Sequence, residues 1–157
     1  MRAAPLDAAA AFARTYQRWF DDARGFSAAC EQRARGVAGS YVADVLTLWD
    51  ESARAWLPGA PTILRLETCD LATFTMRAPH IALFFGSIDT EASAAAFGPG
   101  MRWRSFRPCS YAIGRTVAGI EFSSDENGLL TGVEAVLDDG GRLALGNPDA
   151  WELPRAV

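Results

Sequence analysis

Apolar positions in the first third of the chain recur at helical spacing. Phe12, Tyr16, Trp19, Phe20 and Ala23 form one stripe, which predicts an amphipathic helix. Asp7 can cap its start and Arg24-Gly25 its end. A second helix is expected from Ser27, weakening near Gly36 and Gly39. The third and clearest follows Ser40. Val42, Val45, Leu46, Trp49, Ala53, Trp56 and Leu57 keep helical spacing until Pro58-Gly59.

After Pro61 the pattern shortens. Thr62–Thr68 and Leu71–Arg77 are rich in β-formers and predict a hairpin, while His80–Ser87 reads as a strand buried on both faces. Asp89 or Thr90 can cap a short helix through Ala96, ended by Gly98-Pro99-Gly100. Met101–Arg107 is expected as a strand and Tyr111–Gly114 as another. Thr116–Ser124, Leu129–Leu137 and Arg142–Leu145 then predict an antiparallel meander. Asn127-Gly128 and Asp139-Gly140 supply its tight turns. Val117, Ile120, Phe122, Val133, Ala135 and Leu137 are expected on its core face, with Gly119 and Gly132 marking bulges.

The fold class this predicts is α+β: N-terminal helices packed on a mainly antiparallel sheet that ends in a three-stranded meander. A single domain is expected over residues 1–157, with a helical layer over 1–57 and a β-rich part over 62–153. At this length a domain hides about 70% of its unfolded surface, and the 50% hydrophobic content supports a full core. Asp7 and Arg14 interrupt the alanine-rich start before a signal-peptide core develops. No apolar run reaches the ~18 residues of a membrane helix. Cys30, Cys69 and Cys109 form no CxxC pair, and an odd number of cysteines suits reduced thiols. A cytoplasmic protein with no membrane contact is expected.

Missing residue types exclude much chemistry. The 15 basic residues are all arginine, so there is no lysine for a P-loop or a Schiff base. His80 is the single histidine, which rules out a two-histidine metal site and routes any Ser-His or Cys-His couple through one residue. Neither a metal nor another cofactor is expected. The carboxylate pairs Asp21-Asp22 and Asp50-Glu51 are adjacent, so on a helix they diverge by about 100°. If the protein were an enzyme, His80 would be the acid or base and Cys109 a nucleophile, with Arg102, Arg104 and Tyr111 lining the pocket.

Charge is unevenly spread. Residues 101–115 carry Arg102, Arg104, Arg107 and Arg115 with no acid, whereas 116–157 carry eight acids against Arg142 and Arg155. On a strand, Arg102 and Arg104 share a face opposite Trp103. They are therefore expected to meet water or the acidic meander, and with Arg107 they form an anion-binding candidate. The net charge of −4 argues against a dedicated nucleic-acid binder. An acidic sheet instead suits a basic protein partner. The residues expected to contact it are Glu121, Asp125, Glu126, Glu134, Asp138, Asp139 and Asp149, with Trp151 as an aromatic contact.

Val133–Trp151, VEAVLDDGGRLALGNPDAW, resembles the C-terminal sheet of small bacterial immunity proteins that accompany secreted toxins. The shared features are a strand, the Asp-Asp-Gly-Gly turn, a short strand ending in Leu-Gly-Asn and a nearby tryptophan. That resemblance implies a compact, cytoplasmic, non-catalytic module that masks a basic toxin domain. Two other expectations stand beside it. One is a small enzyme or ligand-binding protein with a pocket near His80 and the Arg102–Arg107 strand. The other is a homo-oligomer subunit with an exposed apolar patch.

Overall fold

The computed structural model describes residues 35–77 and 80–145. The helix expected over 12–23, the start of the second helix at Ser27, and Cys30, Asp149 and Trp151 lie outside the described residues. Residues 35–37 are helical and lead into a turn at Gly39, where the chain needs a positive φ of 92°.

The expected helix from Ser40 to Leu57 is a strand pair instead. Strand β1 (Val42–Asp50) turns at Glu51–Arg54 into the short β2 (Ala55–Trp56). A bulge at Ala43 breaks the register between Val42 and Asp44, so Val42 and Val45 join the same core cluster although they are three residues apart. That bulge imitates helical spacing in the sequence. Beyond it Val45 faces one core while Leu46 and Leu48 face the other. A strand covered on both faces loses the alternation that identifies strands. Asp50 fixes the turn by accepting hydrogen bonds from the backbone N–H groups of Ser52 and Ala53 at 2.9 and 3.1 Å.

The remaining strands follow the expected pattern closely. They are β3 (Thr62–Leu66), β4 (Asp70–Arg77), β5 (His80–Gly86) and β6 (Met101–Ser105), then β7 (Val117–Ser124), β8 (Leu130–Leu137) and β9 (Arg142–Leu145). Helix α1 (Thr90–Ala95) is capped by Asp89, whose carboxylate accepts from the N–H groups of Glu91 and Ala92, both at 3.0 Å. The segment expected as a strand at Tyr111–Gly114 is instead the end of a 3-10 helix, Arg107–Ala112, followed by a turn at Ile113–Gly114. Pro108 at its start favours that turn and lacks the N–H a strand would use. The described residues are therefore mainly antiparallel β, with short helices, rather than a sheet under a helical layer reaching residue 57.

Two sheets form. In the larger, β6 and β3 flank β1 on opposite edges, and β4 and β5 continue beyond β3. Short β2 pairs with the end of β1 on the β3 side, since Trp49 is opposite both Trp56 and Arg102. The smaller sheet is the meander β7-β8-β9. Its residues Val133, Ala135, Leu137, Leu143 and Leu145 share a core with Val42, Val45, Leu64, Leu71 and Leu83 of the larger sheet. On the other face of that sheet, Leu46, Leu48, Ile63, Ala72 and Ala82 pack with Ala94 and Phe97 at α1. Phe122, expected in the core, is 37% exposed. The bulges do fall beside Gly119 and Gly132.

Buried polar groups are matched inside this framework. Thr62 and Thr73 face each other across β3 and β4 with their hydroxyls 2.6 Å apart, and the Thr47 hydroxyl donates to the Pro61 carbonyl at 3.1 Å.

Candidate functional site

The two sheets meet at one corner, where Ser40–Val42 runs beside Gly114–Val117. The Val42 N–H donates to the Arg115 carbonyl, the Gly114 N–H donates to the Val42 carbonyl, and Tyr41 bridges Thr116. Gly114 permits this return with a φ of 83°. Thr116 in turn accepts from the Asp138 N–H at 2.9 Å, which brings the Asp138-Asp139-Gly140-Gly141 turn to the same corner. Phe106, Cys109 and Ala112 bury one side of the 3-10 segment, leaving Tyr111 and Ile113 outside. The Tyr111 hydroxyl donates to the Arg142 carbonyl at 3.2 Å and so fastens the segment to β9. Burial, followed by the nearby Cys109 and Asp139, raises the Tyr111 phenol above its usual value.

Tyr41, Tyr111 and Ile113 are 46%, 53% and 43% exposed. These large side chains thus lie on segments that the backbone bonds bring to the same corner as an acidic turn. Sequence reasoning missed Tyr41 and Ile113, and named Tyr111 only as a pocket residue, because it assigned residues 40–57 and 111–114 to other elements. The one available signal was Gly114 between Ile113 and Arg115, which marked a turn.

The acids expected to contact a partner have different local duties. Glu121 and Glu134 lie opposite each other on β7 and β8 and both accept from Arg142 Nη1, at 2.6 and 2.9 Å. These bonds, chiefly the one to Glu121, raise the Arg142 guanidinium above its usual value. The network is solvent-exposed, so it contributes little to stability. Asp139 accepts from the Gly141 N–H at 2.8 Å and stands 3.5 Å from Arg115 Nε. Glu126 and Asp138 are exposed and have no side-chain partner among the described residues.

Asp125 is committed to structure. Its Oδ1 accepts from the N–H groups of Asn127 and Leu129 at 2.9 and 3.0 Å, closing the β7–β8 turn. Its Oδ2 lies 2.8 Å from His80 Nε2, and because a carboxylate only accepts, Nε2 carries the proton. His80 thus staples the start of β5 to the meander. The hydrogen bond from His80, then that from Leu129, holds the Asp125 carboxyl below its usual value of 3.8. A lowered folded value means that the unfolded chain binds more protons in acid. The Asp125 contribution is therefore complete above the unfolded value and is lost as pH falls through the lower folded one. Chemical denaturation across that acid window should show a shallower loss of stability for Asp125→Asn than for the wild type. Equal slopes would remove Asp125 as a source of acid sensitivity.

The pocket expected around His80, Cys109 and the arginines is not assembled. His80 lies on β5 and Arg102 and Arg104 on β6, at opposite edges of the larger sheet with β1, β3 and β4 between. Each step along that path is about 4.8 Å. Cys109 is buried, and desolvation pushes its thiol up to about 12, so it stays protonated at neutral pH. The arginines meet water, one of the two outcomes expected, and not the acidic meander. Arg102 Nε is 3.6 Å from Glu51, and the Arg104 guanidinium lies 5.2 Å from the centre of the Trp49 ring, so both are engaged by β1 and its turn rather than by the meander.

A cleft of about 490 Å³ lies instead among Gly36, Val37, Thr68, Cys69, Phe85, Gly86 and Ser87. Beside it Asp70 is already bonded to Arg65 and to the Ile88 N–H. Among the described residues no group of three or more His, Cys, Asp or Glu could hold a metal ion, and no helix is long and apolar enough to cross a membrane. No protein-family model, curated protein or solved structure matches the chain.

Proposed function

We propose that this protein is a cytoplasmic, non-catalytic protein-binding module that masks a basic partner domain, as an immunity protein masks its toxin. The observation that supports this reading is the corner where backbone bonds bring the segments of exposed Tyr41, Tyr111 and Ile113 together with the Asp138-Asp139 turn. Tyrosine and aliphatic side chains provide a burial centre, and rim carboxylates accelerate and orient the encounter. The contact surface is thereby narrowed. Asp138 remains available to a basic partner at this corner, whereas Glu121, Glu134 and Asp125 are engaged within the meander and Glu126 lies in the β7–β8 turn at the other end of β8. Tyr111 and Tyr41 add aromatic contacts to the one expected of Trp151.

The test is capture of a basic partner from the source cell by the tagged full chain, followed by affinity measurement with that partner. Tyr111→Ala combined with Ile113→Ala should weaken binding by about tenfold or more. Asp138→Lys should mainly slow association and reduce its salt dependence. Circular dichroism would verify that each variant is folded. Unchanged affinity and association rate in both folded variants would reject this surface.

A further inference from the structure

Outside that corner lies a second charged surface, on the edge of the larger sheet. Arg104 and Arg102 are directly opposite Thr47 and Trp49 in the β6–β1 ladder, so all four side chains share one face. Side chains two residues apart on a strand are separated by about 7 Å. The Arg102 side chain is 71% exposed, and Arg104 and Arg107 are exposed as well. Glu51 Oε1 lies 3.6 Å from Arg102 Nε, and such a half-exposed pair holds the arginine only weakly.

Arg104 is seated on an aromatic support. Its guanidinium carbon stands 5.2 Å from the Trp49 ring centre. Trp49 meets Trp56 edge to face at 5.0 Å, and Trp56 meets Phe106 in the same manner at 5.0 Å. Stacking uses the flat face of a guanidinium and leaves its N–H fork available for a carboxylate. Holding the fork in place beforehand lowers the entropy lost on binding.

From this arrangement we infer that the Arg102–Arg104 face binds an extended acidic peptide segment carrying carboxylates at alternate residues. The spacing of the arginines matches that of alternate side chains on an extended peptide. Charge complementarity also favours an acidic occupant, because Arg102 and Arg104 share this face and are both exposed. The chain's net charge of −4 disfavours a polyanion as long as a nucleic acid. This site is independent of the corner surface proposed above, and either can fail alone.

The test titrates the full chain with a blocked, fluorescently labelled peptide of alternating Glu and Thr. The controls are its Gln-for-Glu counterpart and an oligo-dT of equal charge. The Glu peptide should bind at least about tenfold more tightly than the Gln peptide, and binding should weaken with salt. Arg102→Glu combined with Arg104→Glu should abolish it, and Arg102→Gln combined with Arg104→Gln should reduce it about tenfold. Both pairs change exposed side chains, and matching thermal unfolding curves would show that the fold is kept. Equal binding by wild type and both variants, or no binding at about 1 mM peptide, would overturn the proposal. Tighter binding of oligo-dT than of the Glu peptide would reassign the face to nucleic acid and overturn it too.

Discussion

Replacing Leu48 by alanine is expected to cost about 2–5 kcal/mol of folding stability. Leu48 is fully buried and packs with Ile63 and Ala82 beneath α1. On the helix that the sequence suggests for residues 40–57, Leu48 falls off the apolar stripe of Val42, Val45, Leu46 and Trp49. Truncation there would change stability by only a few tenths of a kcal/mol. Urea denaturation therefore separates the two conformations with a single variant. A midpoint near that of the wild type would contradict the position of β1 between its two cores. Leu46→Ala is a useful companion, since Leu46 is buried on either conformation and should be costly in both.

The second large effect is expected at Asp70, which is 6% exposed. Its carboxylate accepts two bonds from the Arg65 guanidinium, at 3.0 and 3.3 Å, and a third from the Ile88 N–H at 2.9 Å. Arg65 also donates to the Ile88 carbonyl at 3.2 Å. Together these bonds tie the β3–β4 hairpin to the chain leaving β5. The hydrogen bonding of Arg65 to Asp70 is the largest influence raising the Arg65 guanidinium above its usual value.

Asp70→Ala strands a buried N–H and deprives Arg65 of its counter-charge. We expect a loss of about 2–4 kcal/mol, below the full cost of breaking a buried pair because Arg65 is 34% exposed. Asp70→Asn retains the shape and one acceptor oxygen, so it should lose roughly half as much. These values are read by urea unfolding near neutral pH. A loss below about 0.5 kcal/mol for Asp70→Ala would mean that the clip adds nothing beyond ordinary surface polarity.

The two substitutions mark where sequence patterns inform and where they mislead. Asp70 sat between two β-rich runs and read as part of their connection, whereas it is the first residue of β4, paired with Arg65 and Gly86, and nothing local revealed that its side chain would bind Arg65 and Ile88. Leu48 sat in a run whose apparent periodicity was produced by the Ala43 bulge and by burial on both faces. Likewise, alternation placed Phe122 in the core, yet its position near the end of β7 leaves it 37% exposed. The candidate site was even less legible. Its parts come from residues 41, 111, 113 and 138, and only the backbone bonds between Ser40–Val42 and Gly114–Val117 bring them together.

The sequence by itself determined the turns, the meander and the hairpin of β3 and β4. Those features depend on short-range causes: Asn-Gly and Asp-Gly supply positive φ, Asp89 caps α1, and β-formers fill the runs between them. It also determined that one histidine and no lysine restrict the available chemistry. Tertiary structure decided that residues 42–50 form a strand, because hydrogen-bonding partners on both edges and packing on both faces outweigh a local helical pattern. It likewise decided which charges remain available. Coulomb attraction and hydrogen bonding act over a few ångströms in space, regardless of separation along the chain. Thus Arg142 holds Glu121 and Glu134, His80 holds Asp125, and Arg104 rests on Trp49, while Asp138 remains available at the corner to which the segments of exposed Tyr41, Tyr111 and Ile113 are brought.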